Sequence, residues 1–105
     1  MSVERMKYLK SLLDEEPRNS FARYALGMEL SSDGQTDAAL EQFQTLREMD
    51  PNYVNAFFMG AQLLQQVGKL QEAAAWLRDG IACAERAGNR HAGSEMQALL
   101  DEIEG

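Results

Sequence analysis

The stretch from Asn19 to Asn52 reads NSFARYALGMELSSDGQTDAALEQFQTLREMDPN and decides the fold. Its first half places apolar residues at the spacing of one helix face, and the Asp33-Gly34 pair then supplies a turn. A second helical pattern follows and ends at Asp50-Pro51, where proline disfavours continuation. β-Branched residues are scarce, which removes the usual basis of a sheet. The stretch therefore predicts a helix, a turn and a second helix.

The same pattern recurs at a distance of 34 residues along the chain. Sliding the sequence by that distance superposes several identical residues and many similar ones, such as Tyr24 on Phe58. The identical pairs are Pro17 with Pro51, Ala22 with Ala56, Leu30 with Leu64, Gly34 with Gly68 and Ala39 with Ala73. A fixed period of this length in helix-turn-helix units is typical of a solenoid, whose units bury their apolar faces by stacking on one another.

Two flanking segments have the same helical spacing of apolar residues. The first of them ends at Pro17, and the last follows Gly88-Asn89. Polar residues at the predicted helix starts indicate caps, namely Asn19 or Ser20, Thr36 or a neighbour, and Asn89. We therefore predict a single domain of residues 1–105, made of a half-repeat helix at 3–16, repeats at 20–51 and 54–87, and a capping helix at 90–104.

The period and the residue types resemble the tetratricopeptide repeat. In that family small residues lie where two helices cross closely, and Gly27 and Ala39 match those positions in the first full repeat. Larger apolar residues fill the gaps between helices, and those that match here are Leu26, Leu30, Phe43 and Leu46. The resemblance implies an all-α fold of about six helices, stacked as antiparallel hairpins in a solenoid with a right-handed superhelical course.

The second repeat departs from the family pattern at three positions. Gly60 stands where leucine is usual, Gly80 where alanine is usual, and Glu85 where the closing proline is expected. Because no proline interrupts the fifth helix, we expect it to continue unbroken to Gly88.

In tetratricopeptide arrays the first helix of each repeat lines a concave groove, and the resemblance implies the same arrangement here. Some relatives clamp a peptide carboxylate with cationic side chains, whereas the matching positions of this chain are aromatic, methionine or amide-bearing. The groove residues carried over are Phe21, Tyr24, Ala25, Met28, Asn55, Phe58, Met59, Gln62, Gln65 and Gln66. The first full repeat also places Ser31 and Ser32 in the groove, and extending the register to the sixth helix adds Met96, Leu99 and Leu100.

Charge and composition restrict the partner. The 105 residues include 10 basic and 17 acidic ones, and the net charge of -7 repels nucleic acids and anionic membranes. No apolar run approaches the roughly 20 residues of a membrane span. The single cysteine and the lack of a leader pattern at the start predict a reducing, cytoplasmic setting. We therefore expect a neutral or basic protein or peptide as partner, with no nucleic acid and no membrane.

The remaining reactive side chains favour structural roles. Cys83 and His91 are too few to close a tetrahedral zinc site, so we expect a packed thiol and a solvated or capping imidazole. Trp76 is expected at the junction with the sixth helix, filling the space beside Gly80 and Ala73. No nucleophile-elbow or phosphate-loop motif occurs, so neither catalysis nor a cofactor is expected.

These observations favour a non-catalytic protein-protein interaction module, in which a peptide or helix of a partner protein docks in the apolar groove. Two alternatives remain open. The amino-terminal helix would bury the groove if it folded across it. A second copy of the chain would cover the groove if the protein were a self-assembling structural subunit.

Overall fold

The computed structural model describes residues 3–105, and this part of the chain forms six α-helices and no strand. The prediction of an all-α fold with six helices is thus confirmed. In chain order the helices are α1 (Val3–Glu15), α2 (Ser20–Ser32), α3 (Thr36–Met49), α4 (Val54–Gln66), α5 (Leu70–Ala87) and α6 (Arg90–Glu104).

Side-chain caps begin α2 and α6. The Oδ1 atom of Asn19 accepts a hydrogen bond from the Ala22 N–H at 2.9 Å. Asn89 makes the equivalent bond to Ala92 at 3.1 Å. Each cap satisfies one of the amide groups that a helix leaves unpaired at its start, as the sequence predicted at these two positions.

The cap predicted at Thr36 or a neighbour is wrong. Thr36 is the first residue of α3, and Gln35 occupies the N-cap position without a capping hydrogen bond from its side chain. Gln35 Nε2 instead donates to Asp33 Oδ2 at 2.7 Å. α3 therefore begins without a side-chain cap.

Three turns share one backbone geometry. Gly34, Gly68 and Gly88 follow α2, α4 and α5 with φ angles of 80°, 81° and 69°, in the left-handed region that favours glycine. In each turn the N–H after the glycine donates to a carbonyl five residues earlier, as Gln35 does to Leu30 at 2.9 Å. The third turn confirms that α5 continues unbroken until Gly88 ends it.

The described residues divide into two compact units, 3–50 and 51–105. The first unit contains α1 to α3, and α2 packs against both of the others. The second unit contains α4 to α6, and here α5 packs against both of the others.

The core of the first unit surrounds the fully buried ring of Phe43. This ring lies against Gly27, where an added Cβ would come within 2.7 Å of the Phe43 Cε1 atom. The close crossing of α2 and α3 therefore requires a small residue at position 27, as predicted. The other buried apolar residues of this unit are Met6, Leu9, Leu13, Ala22, Ala25, Leu26, Leu30, Ala39 and Leu46.

In the second unit, two glycines receive large side chains. Trp76 packs on Gly60 of α4, and not beside Gly80 at the junction with α6 as the sequence suggested. Gly80 is instead covered by Met96 of α6 and by Phe57 of α4, whose Cβ would lie 2.7 Å from a Cβ added at position 80. The prediction for Trp76 was wrong because the gap beside a glycine is filled by whichever side chain the crossing of the helices brings there, and at Gly80 these are Met96 and Phe57.

Candidate functional site

The exposed face of α2 carries two large apolar side chains from the predicted groove. Phe21 is 71% exposed and Met28 is 37% exposed. They lie seven residues apart with Tyr24 between them, and this spacing places all three on one side of the helix. α2 thus presents a short row of aromatic and methionine side chains.

Tyr24 is the anchored member of this row. Its half-buried ring lies against Phe43, with a distance of 5.9 Å between ring centroids and an angle of 53° between ring planes. Burial raises the pKa of the Tyr24 phenol above its ordinary value. A tilted aromatic pair of this kind stabilises one orientation of both rings.

Some residues carried over from the family are not available at the surface. The Ala25 methyl is 7% exposed, and Met96 and Leu100 of α6 belong to the core of the second unit. Ala25 shares its helix face with Phe21, but helical spacing alone does not tell which member of a face is covered. The extension of the groove to Met96 and Leu100 is wrong.

The predicted residues of α4 form a different kind of surface. Phe58 is half-buried and packs against the core of the second unit, and Met59 is also half-buried. The other four side chains are amides, of which Asn55 and Gln66 are exposed and Gln62 and Gln65 half-buried. α4 thus combines two apolar side chains with a row of amides.

Three hydrogen bonds that the apolar pattern did not predict fix the position of α2 in the first unit. Arg23 donates from Nη1 to Gln42 Oε1 at 2.8 Å and from Nη2 to the Pro17 carbonyl at 3.0 Å. Ser20 Oγ donates to Asp50 Oδ2 at 2.9 Å. Apolar spacing carries no signal for such bonds, because polar side chains make them.

The sequence predicted a packed thiol at Cys83, and the side chain is fully buried. Its Sγ lies 3.3 Å from the Pro51 carbonyl oxygen, to which the thiol donates. His91 is 85% exposed and lies 3.5 Å from a carboxylate oxygen of Glu95, so its imidazole is solvated and does not cap α6. No group of three or more His, Cys, Asp or Glu side chains that could hold a metal comes together within residues 3–105.

None of the helices formed by residues 3–105 is both long enough and apolar enough to cross a bilayer.

Comparison with known proteins decides the family. No protein-family model matches the chain. The solution structure of a tetratricopeptide repeat domain protein from Salinibacter ruber is 30% identical, with 85% of this chain and 90% of that chain covered and a TM-score of 0.81. This chain belongs to the tetratricopeptide repeat family.

Two further proteins are similar to this tetratricopeptide repeat protein, one in sequence and one in structure. A TPR repeat-containing protein of Pseudomonas aeruginosa is 27% identical over 96 residues, which are 91% of each chain. The type III secretion chaperone SycD of Yersinia enterocolitica, solved with a peptide of the translocator YopD, has a TM-score of 0.86. It is 23% identical and covers 94% of this chain and 76% of that one, so it shows a shared fold.

Proposed function

We propose that this tetratricopeptide repeat protein is a non-catalytic module that binds a segment of a partner protein through the predicted groove residues, of which those of α2 and those of α4 each form a surface of their own unit. The observation that carries the proposal is the row of Phe21, Tyr24 and Met28 on α2. Single exposed apolar residues are common on any protein. A row of neighbouring apolar side chains that includes an exposed aromatic, here Phe21, is more typical of a binding surface.

The chemistry of this row suits a protein ligand. An exposed aromatic such as Phe21 supplies a large contact area from a side chain with few rotatable bonds. Met28 adapts its shape to the partner, whereas Tyr24 is held in place by Phe43. SycD, which shares the fold, was solved with a bound peptide, and this supports the same general use here.

Electrostatics narrow the choice of partner. None of the ten predicted contact residues is charged, while the chain as a whole has a net charge of -7. A neutral or basic segment approaches such a molecule without repulsion, and an acidic one does not. The net charge of the chain therefore acts on the approach of the partner, whereas the predicted contact residues that it touches are uncharged.

The test is capture of a partner from a lysate of the source organism, followed by a titration with the purified partner. Phe21→Lys should abolish binding without changing the helical circular dichroism, because the side chain is largely exposed in the free protein. The matched control is Tyr8→Lys on α1, since Tyr8 is an equally large aromatic residue with 65% exposure. Equal binding by the two variants would refute the assignment to α2.

A second candidate function is self-assembly, which the exposure of Phe21 also favours. In that case α2 of one copy would contact another copy. Light scattering coupled to size exclusion at micromolar concentration separates the two functions. A dimer that Phe21→Lys converts to a monomer supports self-assembly, and a monomeric wild type rules it out.

A further inference from the structure

The methionines within residues 3–105 differ widely in exposure. Met28 of α2 is 37% exposed, whereas Met6 is 7% exposed and Met96 is 0% exposed. Met49 and Met59 are half-buried. Because oxidation of a thioether requires contact with the dissolved oxidant, Met28 is the methionine of this part of the chain that an oxidant reaches most easily.

The other oxidisable sulfur of the chain is less accessible than that of Met28. The side chain of Cys83 is fully buried, and its thiol donates to the Pro51 carbonyl oxygen. A buried thiol of this kind reacts only when the surrounding helices open. In the folded protein the exposed thioether of Met28 is therefore expected to react before this thiol.

Met28 also belongs to the surface through which the partner is proposed to bind. It lies seven residues after Phe21 and four residues after Tyr24, on the same side of α2. Phe21 presents a hydrocarbon ring, and the ring of Tyr24 lies against Phe43. Since Met28 is the member of this row that contains sulfur, a mild oxidant changes the chemistry of the row at position 28.

From the exposure of Met28 and its place in this row, we infer that Met28 is a reversible oxidation site that controls binding of the partner. The thioether form binds the partner, and the sulfoxide form releases it. The inference rests on the proposed function and adds a regulation of the α2 surface.

The oxidation is a transfer of one oxygen atom from hydrogen peroxide. The Met28 sulfur attacks one peroxide oxygen, the S–O bond forms as the O–O bond breaks, and the second oxygen leaves as water. The thioether is thereby oxidised by two electrons and the peroxide is reduced. A methionine sulfoxide reductase reverses the change with a dithiol, which becomes a disulfide while the sulfoxide oxygen leaves as water.

The sulfoxide changes binding because it places a polar group in an apolar contact. A methionine side chain is flexible and apolar, and it adapts to the surface that covers it. The sulfoxide oxygen is a hydrogen-bond acceptor that water satisfies in the free protein, and an apolar contact removes this water without replacing it. The fold does not depend on this side chain to the same extent, because Met28 lies outside the buried core of the first unit.

The first experiment locates the oxidation. The full chain is treated with hydrogen peroxide, and the oxidised residues are followed by peptide mapping with mass spectrometry. Met28 should be oxidised before Met49 and Met59, and at least about tenfold faster than the buried Met6 and Met96. These differences should disappear in about 6 M guanidinium chloride, where the chain is unfolded. Native Met28 that reacts no faster than the buried methionines would overturn the inference.

The second experiment measures binding of the purified partner that the lysate capture identifies. Protein in which only Met28 is oxidised should bind this partner about tenfold more weakly, with unchanged helical circular dichroism. Treatment with methionine sulfoxide reductase and dithiothreitol should restore the original Kd. Peroxide treatment should leave the Kd of Met28→Leu where it was before treatment, whereas the control Met49→Leu should lose affinity as the wild type does.

The remaining outcomes separate this inference from the proposed function. If Phe21→Lys abolishes binding while the Met28 sulfoxide form binds normally, the inference fails and the proposed function stands. The same conclusion follows if Phe21→Lys abolishes binding and peroxide weakens Met28→Leu as much as the wild type, since the oxidised contact then lies elsewhere. Wild type and Phe21→Lys that bind equally, or a capture that yields no partner, overturn the proposed function together with the inference.

Discussion

The indole ring of Trp76 packs directly on Gly60, so that any side chain at position 60 would overlap the ring. The positions 34 residues earlier hold Leu26, which is buried, and Gln42, which is half-buried. The two repeats thus fill the same crossing in opposite ways. The large side chain comes from the first helix in one repeat and from the second helix in the other.

The substitution Gly60→Ala should lower the free energy of unfolding by about 1 to 2 kcal/mol, because the ring of Trp76 must move to admit a methyl group. Urea unfolding followed by circular dichroism measures the change. The matched control is Gly93→Ala in α6, where the added Cβ would lie 3.7 Å from Ala84 Cβ, at ordinary contact distance. Since alanine has the higher helix propensity, Gly93→Ala should stabilise the protein by up to about 1 kcal/mol.

The pair at positions 60 and 76 should behave as a coupled unit. Gly60→Leu alone should destabilise by about 3 kcal/mol through overpacking, and Trp76→Gln alone should destabilise by a similar amount through the space it vacates. The double variant reproduces the Leu26 and Gln42 pair of the first repeat. Its loss of stability should be smaller than the sum of the two single losses by at least about 1 kcal/mol. Simple additivity in the double-mutant cycle would mean that the two positions do not share one space.

The left-handed residue after α5 provides a test of backbone geometry. Gly88 has a φ of 69°, and no atom lies near enough to obstruct a side chain there. Gly88→Ala should therefore cost about 1 to 2 kcal/mol from conformation alone. Gly88→Asn should cost less, because asparagine tolerates this region better than alanine. A loss with asparagine as large as that with alanine would contradict this explanation, and thermal denaturation of both variants compares them.

The thiol of Cys83 should not react in the folded protein. It is fully buried, and its Sγ lies 3.3 Å from the Pro51 carbonyl oxygen. We expect a thiol-specific chromogenic reagent to modify Cys83 only as fast as the second unit opens, with full reaction in about 6 M guanidinium chloride, where the chain is unfolded. Immediate reaction under native conditions would show that the α4–α5 packing is looser than the structure indicates.

Alkaline pH should reveal the burial of Tyr24. Burial raises the pKa of its phenol above the ordinary value of 10.0. The stability tied to this group is present below pH 10 and is lost as pH rises through the folded-state pKa, because the unfolded chain releases the proton more readily. Absorbance titration of the wild type should contain a late ionisation step that belongs to Tyr24, and Tyr24→Phe should remove that step. A titration in which Tyr24→Phe removes a step at the ordinary pKa would contradict the burial.

The sequence predicted the helices well because their signals are local. Pro17, the three turn glycines and the capping Asn19 and Asn89 each act within a few residues of the helix end they define. Gly27 was also predicted at a close crossing, because the repeat aligns it with the small position of a known family. Such features depend on spacing along the chain alone.

The surface was harder to predict, because exposure depends on how neighbouring helices cross. Phe21 and Ala25 lie on one face of α2, yet the first is largely exposed and the second is buried. The same limit applies to Trp76, which was predicted beside Gly80 and packs on Gly60. The family register also named the four amide residues of α4. Only the structure shows that Asn55 and Gln66 are exposed whereas Gln62 and Gln65 are half-buried.

Within each unit, the helices that pack together are neighbours along the chain. Helical proteins with such local contacts fold within microseconds to milliseconds, because the residues in contact are close together in the sequence. The first unit is complete in sequence once Asp50 has been added. During synthesis, α1 to α3 can therefore pack outside the ribosome while the residues of α4 to α6 are still being translated.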